Sequence, residues 1–259
     1  MSKFSHYYII RIEFLGFRYH GWQKQLKLKT IQGMVDKTIE FITGHTDFRT
    51  LGCGRTDARV SADDFVLELF LTKSLEPIAF LSLLNKNLPS DIRALSVTET
   101  TAEFNIIQHA KVKEYHYYFS FGEKPHPFSA PLITDLGEEM DIDSMIAAAA
   151  LFQGVHNFRR FTADAKLDKD FTREILAIGI SKSDRFSSPT TPDNTYALKI
   201  KSKGFMRYQI RLIMGGLELL GKGKLTVNEL EEYLTHSDGE AMNNIVPGSG
   251  LLLHRVLFE

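Results

Sequence analysis

A single cysteine, Cys53, stands among 259 residues. An intrachain disulfide is therefore impossible, and a zinc site built from several thiolates is excluded. No apolar run approaches the roughly 20 residues that a helix needs to cross a bilayer. The opening Met1-Ser2-Lys3-Phe4-Ser5-His6 lacks the apolar stretch and small-residue cleavage site of a secretory signal. Together these absences lead us to expect a protein of the reducing cytoplasm without membrane association. An excess of one charge is missing too: 31 basic against 32 acidic residues leave a net charge of -1, whereas a nucleic-acid-binding domain is often strongly basic. No period in the range of repeat proteins is visible. No Gly-x-x-x-x-Gly-Lys-Ser/Thr string is present to cradle a nucleotide phosphate, and Gly221-Lys222-Gly223-Lys224 reads instead as the end of a helix.

What is there suits an ordinary globular chain, with 43% hydrophobic and 24% charged residues. The charges are unevenly placed. Lys24, Lys27 and Lys29 follow an aromatic cluster, and Lys199, Lys201, Lys203, Arg207 and Arg211 form a second basic stretch. Acids gather in Glu138-Glu139-Met140-Asp141 and in Glu229 to Glu232. A basic cleft with an acidic back binds RNA without a net positive charge, although solvated faces account for most individual lysines.

The patterning predicts strands over Tyr7–Leu15, Phe65–Thr72 (alternating apolar and polar) and Ile92–Thr98. Helices are expected over Thr30–Thr43 and Leu75–Leu84, with Pro77 tolerated in the first turn. The second half repeats the alternation: strands at Tyr115–Phe121, Arg173–Ser183 and Thr195–Ser202, and helices at Asp143–Phe152, Phe205–Leu220 and Val227–Leu234. Gly122–Pro131 and Ser187–Asn194 read as exposed loops. The expected fold is α+β, two similar halves of mainly antiparallel sheet covered by helices, with a basic catalytic cleft between them. The halves are expected at 1–105 and 106–259, with a hinge near Thr100 to Lys113.

The chemistry-bearing segment is Leu51-Gly52-Cys53-Gly54-Arg55-Thr56-Asp57-Ala58. Its glycines permit close backbone approach or positive φ, and an arginine two residues from an aspartate favours the ionised carboxylate. Taken alone, the string fits a tight turn with a structural ion pair at least as well as a catalytic loop.

Other segments change that balance. Gly16-Phe17-Arg18-Tyr19-His20-Gly21-Trp22-Gln23-Lys24-Gln25 followed by Thr30-Ile31-Gln32 resembles the opening of TruA-type tRNA pseudouridine synthases. Gly54-Arg55-Thr56-Asp57-Ala58 resembles their catalytic loop, and Lys113-Glu114-Tyr115-His116-Tyr117 their basic-x-Tyr-x-Tyr strand. Phe152-Gln153-Gly154-Val155-His156-Asn157-Phe158 is similar to a Gly-x-His-Asp-Phe segment. Gly204-Phe205-Met206-Arg207-Tyr208-Gln209-Ile210-Arg211, leading into Gly215, matches the family's Phe-to-Arg helix. Val246-Pro247 and Gly250-Leu251-Leu252-Leu253 echo its closing segment. These matches run in order from about Tyr7 to the C-terminus, which is far more specific than any one of them.

The resemblance implies an isomerase that breaks the bond between uracil and ribose, turns the base and rejoins it through carbon 5. It implies no cofactor and no metal. Asp57 is then the essential carboxylate, attacking the ribose or abstracting its proton. Arg55 stabilises RNA with the target base extruded, Tyr115 stacks on the uracil and assists proton transfer at carbon 5, and Arg211 pairs with Asp57. The implied partner is RNA, with tRNA the first expectation, bound by a homodimer. The residues allow blander readings: Tyr115 as a core aromatic, Arg211 in a structural ion pair, and Trp22 and Phe17 in packing in preference to stacking on bases. His20, His116 and His156 lack metal-ligand spacing and read as structural, and Cys53 as a small buried residue.

The chain departs from the family pattern where RNA is expected to be positioned. Arg59 stands in place of a glycine and Ser61 in place of a histidine. Phe104-Asn105-Ile106-Ile107 lacks the arginine of a Phe-x-Ala-Arg segment, and Asn157 replaces an aspartate. Arg59 thus either alters the loop backbone or offers its guanidinium to a phosphate. Two alternatives follow: the same isomerisation on another RNA or tRNA position, and a noncatalytic RNA-binding protein of the same fold.

Overall fold

The β-branched and aromatic run near the N-terminus forms β1 (His6–Phe14) in the computed structural model, with Tyr8, Ile10, Ile12 and Phe14 buried at every second position. The structure describes residues 3–165, 170–183, 185–186 and 188–258. The architecture is α+β, and it divides into two units, Met1–Lys111 with Leu253–Glu259, and Val112–Leu252.

In the first unit β1 is flanked antiparallel by β3 (Ser61–Leu71) and β4 (Ile92–Thr100). β2 (Phe48–Gly52) pairs with the far end of β3, so that residues 53–60 form the connection of a hairpin. β3 starts four residues before the expected Phe65 and does not alternate: Phe65 to Leu71 are all buried. A central strand covered on both faces has no solvent side on which to display polar residues. The exception in that run is Glu68, which is considered below.

α1 (Ile31–Thr43) starts where expected because Thr30 accepts the Gly33 N–H at 3.2 Å, and it ends at Gly44 in the left-handed region. α2 (Pro77–Asn87) carries Pro77 in its first turn and is capped by Glu76, whose carboxylate accepts the Ile78 and Ala79 N–H groups. α2 packs on β4 and against α1. The short α3 (Ile106–His109) is capped by Asn105, and this is the role of the Phe104–Ile107 segment in the fold.

The second unit has the strand order β5 (Val112–Ser120), β9 (Thr195–Ser202), β8 (Thr172–Lys182), β7 (Gly154–Asn157), all antiparallel, with the two-residue β6 (Thr134–Asp135) parallel to β5. α4 (Ile142–Ala149) packs on β8 and on the largely buried α5 (Gln209–Gly221), and α6 (Val227–Thr235) lies against α5 and β7. The acidic clusters include helix caps. Asp141 accepts the Ser144 N–H at the start of α4, and Thr226 with Glu229 forms a capping box on α6. Gly223, with φ +65°, follows the end of α5, as the glycine-lysine patch implied. The last strand, β10 (Leu251–Leu257), carries the chain from the second unit back to the first. Of the two loops expected from composition, residues 122–128 are largely exposed, while Ser187 lies outside the described residues.

One helix starts later than its periodicity suggests. The apolar pattern begins at Phe205, but α5 begins at Gln209, because Tyr208 takes φ +63°. Gln209 is buried; its N–H donates to the Met206 carbonyl and its Oε1 accepts the Met206 N–H, closing a tight turn before the helix.

Candidate active site

The hairpin connection between β2 and β3 holds Asp57, and it is laced to the segment just after β1. Trp22 N–H donates to Thr56 O at 3.2 Å, Arg59 N–H to Tyr19 O at 3.0 Å, and Gly16 N–H to Ser61 Oγ at 2.9 Å. Gly21 sits at φ +85°, and a Cβ there would lie 2.3 Å from Thr56 O. Only glycine combines that backbone with that approach. Trp22 is 1% exposed and stacks on Phe65 of β3 at 4.2 Å, so its indole belongs to the core and is not free to meet a base.

The same segment is anchored from behind. Asp91 accepts from Arg18 Nε at 2.8 Å and from the Tyr19 hydroxyl at 2.6 Å, and its carbonyl accepts the Leu15 N–H. Burial disfavours the charged carboxyl, but the hydrogen bonds from Tyr19 and Arg18 prevail and hold Asp91 below the ordinary carboxylate range. Burial and the bond to Asp91 push the Tyr19 phenol up. Gln32, from the Thr30-Ile31-Gln32 string, accepts from Lys24 N–H and donates to Thr50 of β2.

Asp57 itself is half-buried. Val60 N–H donates to Asp57 O at 3.3 Å, closing a turn whose third residue, Arg59, has φ +68°. That is the position where a turn favours glycine, and it is where the family pattern has one. Arg59 adopts that left-handed conformation despite its side chain. Arg55 and Arg59 are exposed, and among the described residues neither guanidinium has a hydrogen-bond or ion-pair partner. Ser61 corrects the expectation that the altered positions all face RNA: it is 1% exposed and serves to hold Gly16.

In the second unit Tyr115 lies on β5 opposite Ile200, half-buried, with its ring edge-on to Phe205 at 5.4 Å and 88°. Tyr117, two residues along on the same face, is fully buried and donates to Pro247 O at 2.9 Å. Arg211 is on the first turn of α5. Its Nε donates to Val246 O at 2.8 Å and its guanidinium lies 4.8 Å from the Tyr208 ring. The Val246-Pro247 pair is thus gripped by Arg211 and Tyr117, a structural use of three motif positions at once. Gly215 permits the neighbouring segment to approach α5, since a Cβ there would sit 1.9 Å from Asn244 O.

The basic stretches are partly neutralised. Lys24 pairs with Asp36 at 2.6 Å, Lys201 with Glu114 at 3.2 Å and Lys203 with Glu174 at 3.5 Å. His116 is buried, with its ring nitrogens 3.0 Å from the Tyr118 hydroxyl and 3.1 Å from Glu114 Oε1. His156 Nε2 lies 2.8 Å from Gln153 O, and Asn157 accepts the Arg159 N–H at 2.9 Å, an acceptor role that an aspartate fills equally. Sequence reasoning assigned Phe17 to packing, yet its ring is 36% exposed beneath the Arg59 guanidinium at 5.5 Å. The signal available for that pair was the replacement of a turn glycine by arginine.

Residues 148–259 match a family model described as tRNA pseudouridine synthase. The chain is 31% identical over 263 residues to tRNA pseudouridine synthase A of Mesoplasma florum, covering 97% of this chain and 98% of that protein. It is 30% identical over 264 residues to tRNA pseudouridine synthase A 2 of Desulfotalea psychrophila, covering 96% and 98%. It is 28% identical over 247 residues to tRNA pseudouridine synthase A of Clostridium botulinum, covering 95% and 97%. Full-length similarity at this level, joined to the ordered motifs, means that the chain belongs to the TruA-type tRNA pseudouridine synthase family.

Proposed function

We propose that this chain isomerises uridine to pseudouridine in tRNA, at the anticodon stem-loop (positions 38–40 in the family), with Asp57 as the essential carboxylate. The observation that carries the reading is the setting of Asp57. It sits half-buried on a loop pinned at Thr56, Arg59 and Ser61, between two exposed guanidinium groups that make no hydrogen bond or ion pair among the described residues. A carboxylate so placed is held at a fixed position while cations on either side meet an RNA backbone.

In this reading the carboxylate of Asp57 attacks the ribose of an extruded uridine or takes a proton from it. The bond from ribose to N1 breaks, the uracil turns and the ribose joins carbon 5; carbon 5 gives up its proton to solvent, N1 takes one up, and the Asp57 carboxylate is released in its starting state. No electrons or external groups are exchanged. Arg55 holds the RNA with its base turned out. Tyr115 and Arg211 are the substrate-binding groups on the second unit, the tyrosine stacking on uracil. The enzyme acts as a homodimer in the cytoplasm.

The test is release of tritium from 5-tritiated uridine in tRNA. The wild type is expected to release it and Asp57→Ala to release none; release by Asp57→Ala at the wild-type rate rejects the assignment. A second reading, the same reaction at another RNA or tRNA site, is favoured by Arg59 in the turn beside Asp57. Mapping pseudouridine in cells with and without the gene separates the two, since loss confined to sites outside tRNA rejects the first. RNA retention without turnover would point to a binding protein instead. Light scattering at micromolar concentration checks the dimer.

A further inference from the structure

We infer that Phe17 and Arg59 form a nucleotide-binding patch, the phenyl ring stacking on a base beside the target uridine and the guanidinium meeting a phosphate of the same strand. The inference rests on the reading of Asp57 as the carboxylate that meets that uridine.

Arg59 occupies φ +68°, a left-handed conformation in which a side chain is strained relative to glycine. Its guanidinium lies over the Phe17 ring, 5.5 Å from the centroid. A cation–ring contact at an exposed site is too weak to offset that backbone cost. Among the described residues the side chain makes no hydrogen bond or ion pair. Stability therefore does not account for an arginine here. A ligand does: five N–H donors in a planar fork stand open to solvent two residues from Asp57.

The backbones beneath the pair are already fixed. Arg59 N–H is bonded to Tyr19 O, and Gly16 N–H to Ser61 Oγ, so both side chains rise from one braced surface. Lys29, whose ammonium lies 4.8 Å from the Tyr19 ring and whose carbonyl accepts the His20 N–H, extends that surface with further positive charge. An exposed aromatic ring, an open guanidinium and an adjacent lysine fit an unpaired stretch of nucleic acid, where a base offers its face and the backbone its charge. A paired duplex offers no free base to Phe17.

The experiment is equilibrium binding of an unmodified tRNA transcript across a salt series, with steady-state tritium release, for wild type, Arg59→Gly and Phe17→Leu. Arg59→Gly restores the residue its backbone prefers, so its thermal midpoint should be equal or higher, which excludes misfolding as the cause of any loss. It should weaken binding about tenfold, lower the slope of log K against log salt by about one, and raise KM more than it lowers kcat. Phe17→Leu should weaken binding by a similar factor with the slope unchanged. Wild-type affinity and slope in Arg59→Gly overturn the proposal, as does an unaltered slope accompanied by a lower midpoint. A wild type that binds RNA without releasing tritium defeats the proposed function and leaves the binding comparison to decide the patch. Turnover that Arg59→Gly leaves untouched, with affinity and slope also unchanged, defeats the patch alone.

Discussion

The backbone N–H of Trp22 donates to the carbonyl of Thr56 at 3.2 Å, one residue before Asp57. Because the Trp22 indole is locked on Phe65, this bond ties the position of the carboxylate to the core of the first unit. Gly21 makes the approach possible. In Gly21→Ala the new methyl would meet Thr56 O at 2.3 Å from a backbone at φ +85°. We expect kcat/KM for tritium release to fall about 100-fold, as displacement of a reacting group by about 1 Å does. Stability should drop by about 1–3 kcal/mol in urea titration. Full activity in this variant would mean that the Trp22–Thr56 tie does not position Asp57.

Asp91 supports the same loop from a distance. Its carboxyl is held below the ordinary range despite burial, by hydrogen bonds from Tyr19 and Arg18. A depressed folded-state value stabilises the fold above the unfolded carboxylate range, and the contribution is lost as pH falls through the folded value. Asp91→Asn should therefore cost about 1–3 kcal/mol at neutral pH and converge with the wild type in acid. Chemical denaturation at several pH values measures it, and a pH-independent difference would contradict the assignment.

Glu68 titrates with the opposite sign. It is 1% exposed within β3, and its Oε2 accepts the Ile106 N–H at 3.4 Å. Burial raises its carboxyl, against the lowering effects of that bond and of Arg49. A raised folded-state value gives stability that is full below the unfolded range and is lost as pH rises through the folded value. Glu68→Gln, which can still accept from Ile106, should be more stable than wild type by about 1 kcal/mol at neutral pH, or about 2–4 °C in midpoint. The gain should vanish in acid. A lower midpoint at neutral pH would show that the charge is needed.

Tyr115 offers a separation of stacking from proton transfer. Its ring is set edge-on to Phe205, so Tyr115→Phe keeps the ring in place and removes only the hydroxyl. If the hydroxyl assists loss of the carbon 5 proton, kcat should fall about 100-fold or more while KM stays near the wild-type value. Tyr115→Ala should raise KM as well, by about tenfold. Equal kcat in Tyr115→Phe and wild type would confine the residue to stacking.

Much of the molecule was legible because its signals are local. A run of β-branched and aromatic residues marks β1, apolar residues at helical spacing mark α1, and Pro77 is compatible with the first turn of α2. The family was legible in another way, through motifs in fixed order along the chain. Three readings needed the fold. The α5 pattern ran through Phe205 to Tyr208, because apolarity does not report a left-handed residue before a helix. β3 was read as alternating, because coverage of both its faces depends on strands and helices distant in sequence. Trp22 and Phe17 stood in one aromatic cluster, and only their neighbours separated them into a core residue and an exposed one.

The sequence by itself therefore determined the family and the α+β pattern, and it supplied the grounds for proposing Asp57 as the essential carboxylate, since these rest on residue types in order. The tertiary structure decided what Gly21, Ser61, Asp91 and Arg59 do. Each acts through hydrogen bonds or close approaches between segments some 30 to 75 positions apart, and no local period encodes which backbone groups will meet across such distances.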